Sequence, residues 1–281
     1  MILPAPVRQI STVIIAQNEE ECIANSIKSC LAFADEVVVI DGGSHDATVK
    51  IAQDLGCQVY TNSWPGYAKQ RNFGAQKAVN EWIFFIDADE VVGQELAAAI
   101  LTWKDEPKLE ANAFAVNRVG DFLGKWLHSK AEYPVRLYNK NVYQIKDVLV
   151  HEAPDVGNEQ VIKLPGVLWH QGFRTINDLV SRFNKYTDLD AQKSHLAGKK
   201  FSVVRLLLKP HAKFFQVYLW QGMYKQGLVG LVVAGLWSYY IFLKEIKLYE
   251  IDLSLLKEVE AVGVGRTTPL SAVPELPQAK P

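Results

Sequence analysis

The feature that most constrains the fold is an apolar stretch, Trp82–Ile86, that runs directly into the carboxylates Asp87, Asp89 and Glu90. A short run rich in aromatic and branched residues predicts a strand buried on both faces, as in a parallel sheet. Open α/β sheets bind their ligands just beyond the carboxyl ends of such strands. Two carboxylates one residue apart can hold a divalent cation, and the cation can hold a diphosphate. The alternative is an acidic turn that begins the next helix.

The surrounding sequence alternates between strand and helix patterns. Further strands are predicted at Ser11–Ala16, Glu36–Ile40, Cys57–Thr61, Ala113–Val116, Arg136–Tyr138, Val148–Val150 and Val167–Trp169. Helices are predicted after Asn18, which is suited to an N-cap, after Ser44 or Asp46, and at Tyr67–Val79 and Gln94–Trp103. This order predicts an α/β fold with a mostly parallel sheet and helices on both faces.

Composition narrows the class of protein. The chain has 281 residues, a net charge of -1 and 49% hydrophobic residues, which is enough for a large core. A near-neutral charge argues against general nucleic-acid binding. Cys22, Cys30 and Cys57 lack metal-site spacing and indicate a reducing compartment. Residues 1–10 show no signal-peptide pattern, so we expect a cytoplasmic protein.

The C-terminal third differs in character. A helical pattern at 177–197 precedes an aromatic and basic region that ends in the apolar run Gly227–Leu243, with lysines or arginines on both sides. That run is at the short limit for crossing a bilayer, and its flanks suit a segment lying in or dipping into an anionic leaflet. A buried helix packed on the rest of the protein is the alternative. Residues 261–281 hold four prolines and predict a disordered tail.

Several motifs together resemble family 2 inverting glycosyltransferases of the GT-A fold. They are Val13–Glu20, Val38–Thr48, Lys69–Asn72 and Asp87–Asp89. Three more are similar to the bacterial glucosyltransferases that build the lipopolysaccharide core: Val150-His151-Glu152, Leu168-Trp169-His170 and Asn184-Lys185-Tyr186. The resemblance covers about Ser11 to Glu250. It departs at Gly42 and His45, and we expect His45 to face solvent.

The resemblance implies a role for each matching position. Ala16, Asn18 and Glu19 would line the nucleotide pocket, with Asp41 accepting from the uracil N3–H group. Arg71 and Asn72 would lie near the base and phosphates. Asp87 would face the ribose, and Asp89, with Asp87 beside it, would ligate Mg²⁺ or Mn²⁺.

Inverting transfer also needs a base on the acceptor side, opposite the leaving diphosphate. We assign Glu152, with His151 as a metal or diphosphate contact; Glu132 and Asp147 are the competing bases. The alternative for His151 and Glu152 is a polar strand end facing solvent. His170 either completes the phosphate or metal shell or is a half-buried histidine with its own partners.

The sequence therefore predicts three regions: a GT-A-like catalytic domain at 1–172, a helical, membrane-associating extension at 173–260 and a tail at 261–281. We expect sugar transfer, with UDP-glucose as donor, to a lipid-linked or lipopolysaccharide-type glycan on the inner face of the cell membrane. A polyprenyl-phosphate glycosyltransferase and a non-catalytic nucleotide-sugar scaffold are the alternatives. A dinucleotide-dependent dehydrogenase is disfavoured, because Gly42–Asp46 lacks the GxGxxG turn.

Overall fold

A computed structural model describes residues 8–106, 111–127, 132–146, 153–157, 161–173 and 175–264. The chain divides into two compact units, Met1–Arg174 and Thr175–Pro281. Each unit has its own arrangement of secondary structure. The predicted strand at Val148–Val150 and the catalytic candidates His151 and Glu152 lie outside the described residues, as does competing Asp147.

The first unit alternates strands and helices before it becomes rich in strands. Its strands are β1 Ile10–Ala16, β2 Glu36–Asp41, β3 Gln58–Thr61, β4 Trp82–Asp87, β5 Glu90–Val92, β6 Ala113–Phe122, β7 Lys125–Trp126, β8 Val135–Asn139 and β9 Ile162–Phe173. Its helices are α1 Ile23–Cys30, α2 Thr48–Asp54, α3 Tyr67–Lys77 and α4 Gln94–Asp105.

The strands form one mixed sheet in the order β3-β2-β1-β4-β8-β6-β9-β5, with β7 paired to β6. Strands β1 to β4 are parallel to one another, as the alternating pattern predicts. Beyond β4 the sheet mixes directions, since β8 is antiparallel to both β4 and β6, whereas β6 and β9 are parallel. The parallel half thus ends where β8 pairs with β4.

Helices cover both faces of the sheet, and the residues of β1 show why. Ile14 packs into the core that contains α1, α2 and α4, whereas Val13 and Ile15 pack into the core that contains α3. Because successive side chains point to opposite faces, a strand buried on both faces must be apolar throughout. At Gly74, α3 lies so close to the sheet that an added Cβ would overlap the Val13 side chain.

The first helix corrects one sequence-based expectation. Asn18 does not cap a helix: its φ is 56°, and α1 begins later, at Ile23. Asn18 adopts the left-handed conformation that asparagine tolerates better than most residues. Its side chain instead bonds to the loop after β2, a long-range contact that competes with capping.

The second unit is helical among its described residues. It contains α5 Ile176–Leu196, α6 Val203–Phe215, a π-helical turn Gln216–Trp220, a 3-10 turn Met223–Gln226 and α7 Leu228–Val264. Residues 261–264 of the predicted tail continue α7, and residues 265–281 lie outside the described residues. Both α5 and α6 pack against α7.

Candidate active site

Three predicted site residues meet at the carboxyl edge of the parallel strands. Ala16 ends β1 and is paired in register with Asp41, the last residue of β2. On the other side of β1, Ile15 is paired with Asp87, the last residue of β4. Since parallel strands end at a common edge, these residues lie side by side at the position where α/β sheets bind ligands.

The loops after β1 and β2 are tied together by side chains. The Asn18 backbone N–H donates to Ser44 Oγ at 2.9 Å, and Asn18 Oδ1 accepts from the His45 N–H at 2.8 Å. The Glu19 N–H donates to Thr48 Oγ1 at 2.8 Å. These bonds hold the predicted nucleotide-binding loop, and they leave the His45 side chain exposed, as expected.

Asp41 is buried, and its carboxylate is held by the turn that follows it. Oδ2 accepts from the Gly43 N–H at 3.0 Å, and Oδ1 accepts from the Ser44 N–H at 3.1 Å. A carboxylate has about four acceptor positions, so these bonds leave acceptor capacity for a ligand N–H group. The turn therefore fixes the direction of the Asp41 carboxylate.

Gly42 explains one departure from the family pattern. A Cβ at this position would lie 2.8 Å from the Trp64 ring and 3.3 Å from Gln17 Cβ. The missing side chain lets the half-buried Trp64 ring lie against the backbone after β2. Trp64 also meets Tyr67 edge to face, with ring centroids 5.0 Å apart. Sequence analysis did not identify this aromatic pair beside the Asp41 turn.

Asp87 is part of an ion-pair cluster. Its Oδ1 accepts from Arg71 at 2.6 Å, and its Oδ2 lies 4.0 Å from Arg136. Burial alone would raise the pKa of Asp87, but the two guanidinium groups outweigh that effect and hold the pKa well below its usual range. Asp87 is therefore ionised, and one of its oxygens is bound to Arg71.

Glu90 is the fully buried anion of the same cluster. Its Oε1 accepts from Arg118 at 2.7 Å and from Arg136 at 2.6 Å, while its Oε2 accepts from the Asp87 N–H at 3.0 Å. The last bond closes the turn that carries Asp87 and Asp89. Burial lowers the pKa of Arg136, whereas Glu90 raises that of Arg118 against the effect of burial. Glu90 thus links two arginines to the backbone of the acidic turn.

His170 is brought to the acidic turn by the pairing of β5 with β9. These strands are antiparallel, and Glu90 is in register with His170. The Gln171 N–H donates to the Asp89 carbonyl at 2.8 Å, and His170 Nε2 lies 3.3 Å from Asp89 Oδ2. Both side chains are 15% exposed, so the pair is largely but not fully buried.

Cys22 adjoins this pair but remains a neutral thiol. Its Sγ donates to Gln171 Oε1 at 3.3 Å. Burial raises the pKa of Cys22 to about 11, with further contributions from the charges of Glu19 and Asp89. A thiol with so high a pKa is almost entirely protonated at neutral pH, and the thiolate is the nucleophilic form.

The Asn72 side chain forms hydrogen bonds with the backbone of another segment. Its Nδ2 donates to the Ile145 carbonyl at 2.8 Å, and its Oδ1 accepts from the Ile145 N–H at 3.1 Å. Both polar ends of the amide are therefore engaged with one residue. Asn72 anchors the segment just before the predicted base region, and its contact with a nucleotide stays a prediction.

The donor set at the acidic turn fits Mg²⁺ or Mn²⁺ with a small number of protein ligands. Asp89 and His170 offer one oxygen and one nitrogen, whereas Asp87 is engaged by Arg71. Within the described ranges, no group of three or more His, Cys, Asp or Glu side chains has metal-ligand geometry. Mg²⁺ commonly keeps water and phosphate oxygens as its other ligands, which two protein donors permit. Asp87 as a second metal ligand stays a prediction.

Sequence analysis missed the role of the arginines. Arg118 and Arg136 come from β6 and β8, and both reach Glu90. A weak signal exists for Arg136, which interrupts the apolar strand Val135–Tyr138 and is almost fully buried. The competing base Glu132 is exposed, and its carbonyl accepts from the Arg118 N–H at 3.0 Å.

Comparison with known proteins agrees with this architecture. Residues 11–156 match the model of the family described as glycosyl transferase family 2. An uncharacterized glycosyltransferase of Rickettsia typhi is 31% identical over 258 residues, covering 88% of this chain and 88% of that protein. The lipopolysaccharide core biosynthesis glycosyltransferase LpsC of Rhizobium meliloti is 28% identical, covering 87% of this chain and 93% of that protein.

A solved structure is also similar over part of the chain. It is glucosyl-3-phosphoglycerate synthase from Mycobacterium tuberculosis, which is 23% identical, with a TM-score of 0.34, and covers 41% of this chain and 44% of that chain. The family match spans more than half of the sequence, and the Rickettsia relative covers most of both chains. The chain therefore belongs to glycosyl transferase family 2 and is a glycosyltransferase.

Proposed function

We propose that this protein transfers glucose from UDP-glucose, with inversion, to a hydroxyl of a lipid-linked or lipopolysaccharide-type glycan. The observation that carries the proposal is the Asp89–His170 pair, at the carboxyl edge of the parallel strands. The name of the Rhizobium meliloti relative supports an acceptor of the lipopolysaccharide type. With such an acceptor, we expect the enzyme to act in the cytoplasm, on the inner face of the cell membrane.

In this proposal, different residues at the sheet edge bind different parts of the nucleotide sugar. Asp41 is held by its turn so that a free acceptor position meets the N–H of the base. Asp89 and His170 would hold Mg²⁺ or Mn²⁺, and that cation, when bound, neutralises the charge that develops on the leaving diphosphate. Arg71 and Arg136 keep Asp87 ionised at the neighbouring position, toward the ribose.

Glu90 and its arginines keep the acidic turn in one conformation. A preorganised charge needs no reorganisation during the reaction, and this is the main source of electrostatic catalysis. The acceptor hydroxyl must lose its proton as it attacks the anomeric carbon. We assign that step to Glu152, with His151 beside it, on the strength of the family resemblance.

A nucleotide-sugar binding panel tests the donor site. Purified protein is titrated with UDP-, GDP- and TDP-sugars with and without Mn²⁺, and each hit is repeated with Asp41→Ala and Asp89→Asn. We expect UDP-glucose to bind with Mn²⁺, to lose affinity in Asp41→Ala and to lose its metal dependence in Asp89→Asn. Asp54→Asn is the matched control, since Asp54 is an exposed carboxylate on α2.

Transfer assays separate the acceptor classes. Product formation with a lipopolysaccharide-type glycan supports the proposal, whereas transfer to polyprenyl phosphate alone replaces it with the alternative transferase. Glu152→Gln should bind UDP-glucose normally but lose transfer, and full activity in that variant would move the base elsewhere. A folded protein that binds none of the nucleotide sugars would support a scaffold role and overturn the proposal.

A further inference from the structure

The outward side of α6 is apolar except for His211, which is exposed one turn after Leu207. Val203, Val204, Leu207 and Leu208 are each about 60% exposed, and Phe215 is 55% exposed. Spacings of one and four residues place these side chains on one face of the helix. A soluble helix ordinarily turns such a face toward the protein core.

The other side of α6 carries its charges, and these face α7. Arg205 Nε lies 3.2 Å from Glu245 Oε2, and Lys209 Nζ lies 3.0 Å from Glu245 Oε1. Glu245 itself is 4% exposed. Lys213 Nζ is 5.6 Å from the centre of the Trp237 ring on α7. Helix α6 is thus amphipathic in the inverse sense, with charge at the helix–helix contact and apolar groups outside.

Helix α7 repeats this arrangement. Its exposed side chains include Leu228, Leu231, Val232, Tyr239 and Phe242, spaced as one helical face. This strip is roughly 20 Å long at 1.5 Å per residue. The polar contacts of α7 lie elsewhere on the helix: toward α5, the Tyr240 hydroxyl donates to Asp190 at 2.9 Å, and Lys247 lies 2.7 Å from Asp188.

The turn between α6 and α7 also exposes apolar and aromatic side chains. Trp220 is 82% exposed, and Leu219 and Tyr224 are also exposed. Exposed tryptophan and tyrosine are enriched where proteins meet the boundary between headgroups and hydrocarbon. We define the apolar face as the exposed residues of α6, this turn and the start of α7: Val203, Val204, Leu207, Leu208, Phe215, Leu219, Trp220, Tyr224, Leu228, Leu231, Val232, Tyr239 and Phe242.

The exposed charges next to the apolar face are basic, although Glu245 lies behind α6 and neutralises part of the charge of Arg205 and Lys209. Between Ala191 and Lys244 the sequence contains eight lysines and arginines and no aspartate or glutamate. Lys199, Lys200 and Lys225 are exposed at the ends of α6 and in the turn. Basic residues beside an apolar surface complement anionic lipid headgroups, which attract each lysine by about 1 kcal/mol.

We propose that the apolar face docks in the plane of an anionic lipid bilayer. Trp220 and the outward leucines enter the headgroup and acyl boundary, and Lys199, Lys200 and Lys225 contact the headgroups. Helix α7 contains a stretch long and apolar enough to cross a membrane, Leu228–Ser254. Helix α6, however, has 13 residues, or roughly 20 Å, against a hydrocarbon core of about 30 Å. Helix α6 is therefore too short to span the bilayer, and its exposed apolar side suits a position in the membrane plane.

Vesicle co-sedimentation of the full chain tests the docking without any sugar substrate, so its outcome is independent of the proposed transfer reaction. The vesicles contain phosphatidylcholine alone or with phosphatidylglycerol, at low and high salt. We expect binding to the mixed vesicles that weakens at high salt. Equal binding to both kinds of vesicle, or to neither, would overturn the proposal.

Substitutions within the apolar face locate the contact. Leu207→Glu with Leu208→Glu should weaken vesicle binding at least about tenfold, because two apolar groups leave the lipid boundary. Val79→Glu is the matched control, since Val79 is 74% exposed in the first unit. Lys199→Gln with Lys200→Gln should weaken binding to anionic vesicles by roughly fivefold per lysine. Circular dichroism checks that each variant is folded, and no loss in the leucine variant contradicts the assigned face.

Two further measurements distinguish other occupants of the face. A dimer in solution that dissociates on Leu207→Glu would show that a second copy covers the face, and it would overturn the lipid assignment. Protein that resists alkaline extraction from the vesicles would indicate a spanning helix in place of in-plane docking. Release under alkaline conditions, together with a monomer in solution, supports the proposal.

Discussion

The two units differ in where their apolar side chains lie, although each buries a glutamate between two basic side chains. In the first unit, apolar strands fill the interior, and the ion pairs of Asp87 and Glu90 gather at one edge of the sheet. In the second unit, Glu245 is buried at the contact between α6 and α7, while leucine and valine side chains face outward. Under the proposals above, the charges at the sheet edge bind a ligand, and the outward apolar side chains of the second unit meet lipid.

Asp89→Ala is expected to have the largest effect and to separate function from stability. Turnover should fall at least about a thousandfold, because charge stabilisation by a held cation contributes several kcal/mol. The free energy of unfolding should change little, since Asp89 is at the accessible rim of the charge cluster. Steady-state transfer assays and urea unfolding measure the two quantities. Wild-type activity in this variant would show that Asp89 is not part of the active site.

Glu90→Gln tests whether the cluster also supports the fold. The variant leaves Arg118 and Arg136 without their shared anion, so the free energy of unfolding should fall by about 3 kcal/mol. Urea denaturation measures it, with Glu95→Gln on the exposed side of α4 as control. Donor binding should weaken as well, because Glu90 Oε2 closes the acidic turn. Equal stability of the two variants would contradict the structural role of Glu90.

Asp87→Asn should destabilise the protein by about 2 kcal/mol at neutral pH, since a charged hydrogen bond to Arg71 is lost. The folded-state pKa of Asp87 is below its ordinary value of 3.8. Its contribution is therefore complete above pH 3.8 and is lost as the pH falls through the folded-state pKa. Urea unfolding of both proteins should show a constant difference from pH 7 to 5 that shrinks below pH 4. A difference that shrinks already at pH 6 would refute this assignment.

Glu245→Gln should have the smallest effect, about 1 kcal/mol in aqueous buffer, because its partners Arg205 and Lys209 are partly exposed to water. On vesicles the same change should cost more, since a drier environment strengthens the ion pairs. Thermal unfolding with and without anionic vesicles measures both values. Equal losses in stability with and without vesicles would show that the lipid surface does not strengthen these ion pairs.

Much of the first unit follows from local pattern. Fully apolar strands such as Val37–Ile40 predict parallel pairing. Because parallel strands end at a common edge, the sequence also predicts that Asp41 and Asp87 lie near each other there. Local pattern predicted that Asn18 caps a helix, and this is wrong. The Asn18 side chain instead accepts from the His45 N–H, 27 positions along the chain. The assignment of Glu152 as the base, with His151 as a metal or diphosphate contact, stays a prediction.

The sequence by itself determined the alternation of strands and helices, the edge at which carboxylates gather, and the stretch 191–244, which contains no aspartate or glutamate. These properties depend on periodicity and composition within short windows. Tertiary structure alone decided that His170 stands beside Asp89, because that contact requires β9 to pair with β5 across 80 positions of sequence. It also decided that the charged side of α6 faces Glu245 and the apolar side faces outward. Helical periodicity reveals two faces, but the packing partner determines which one is buried.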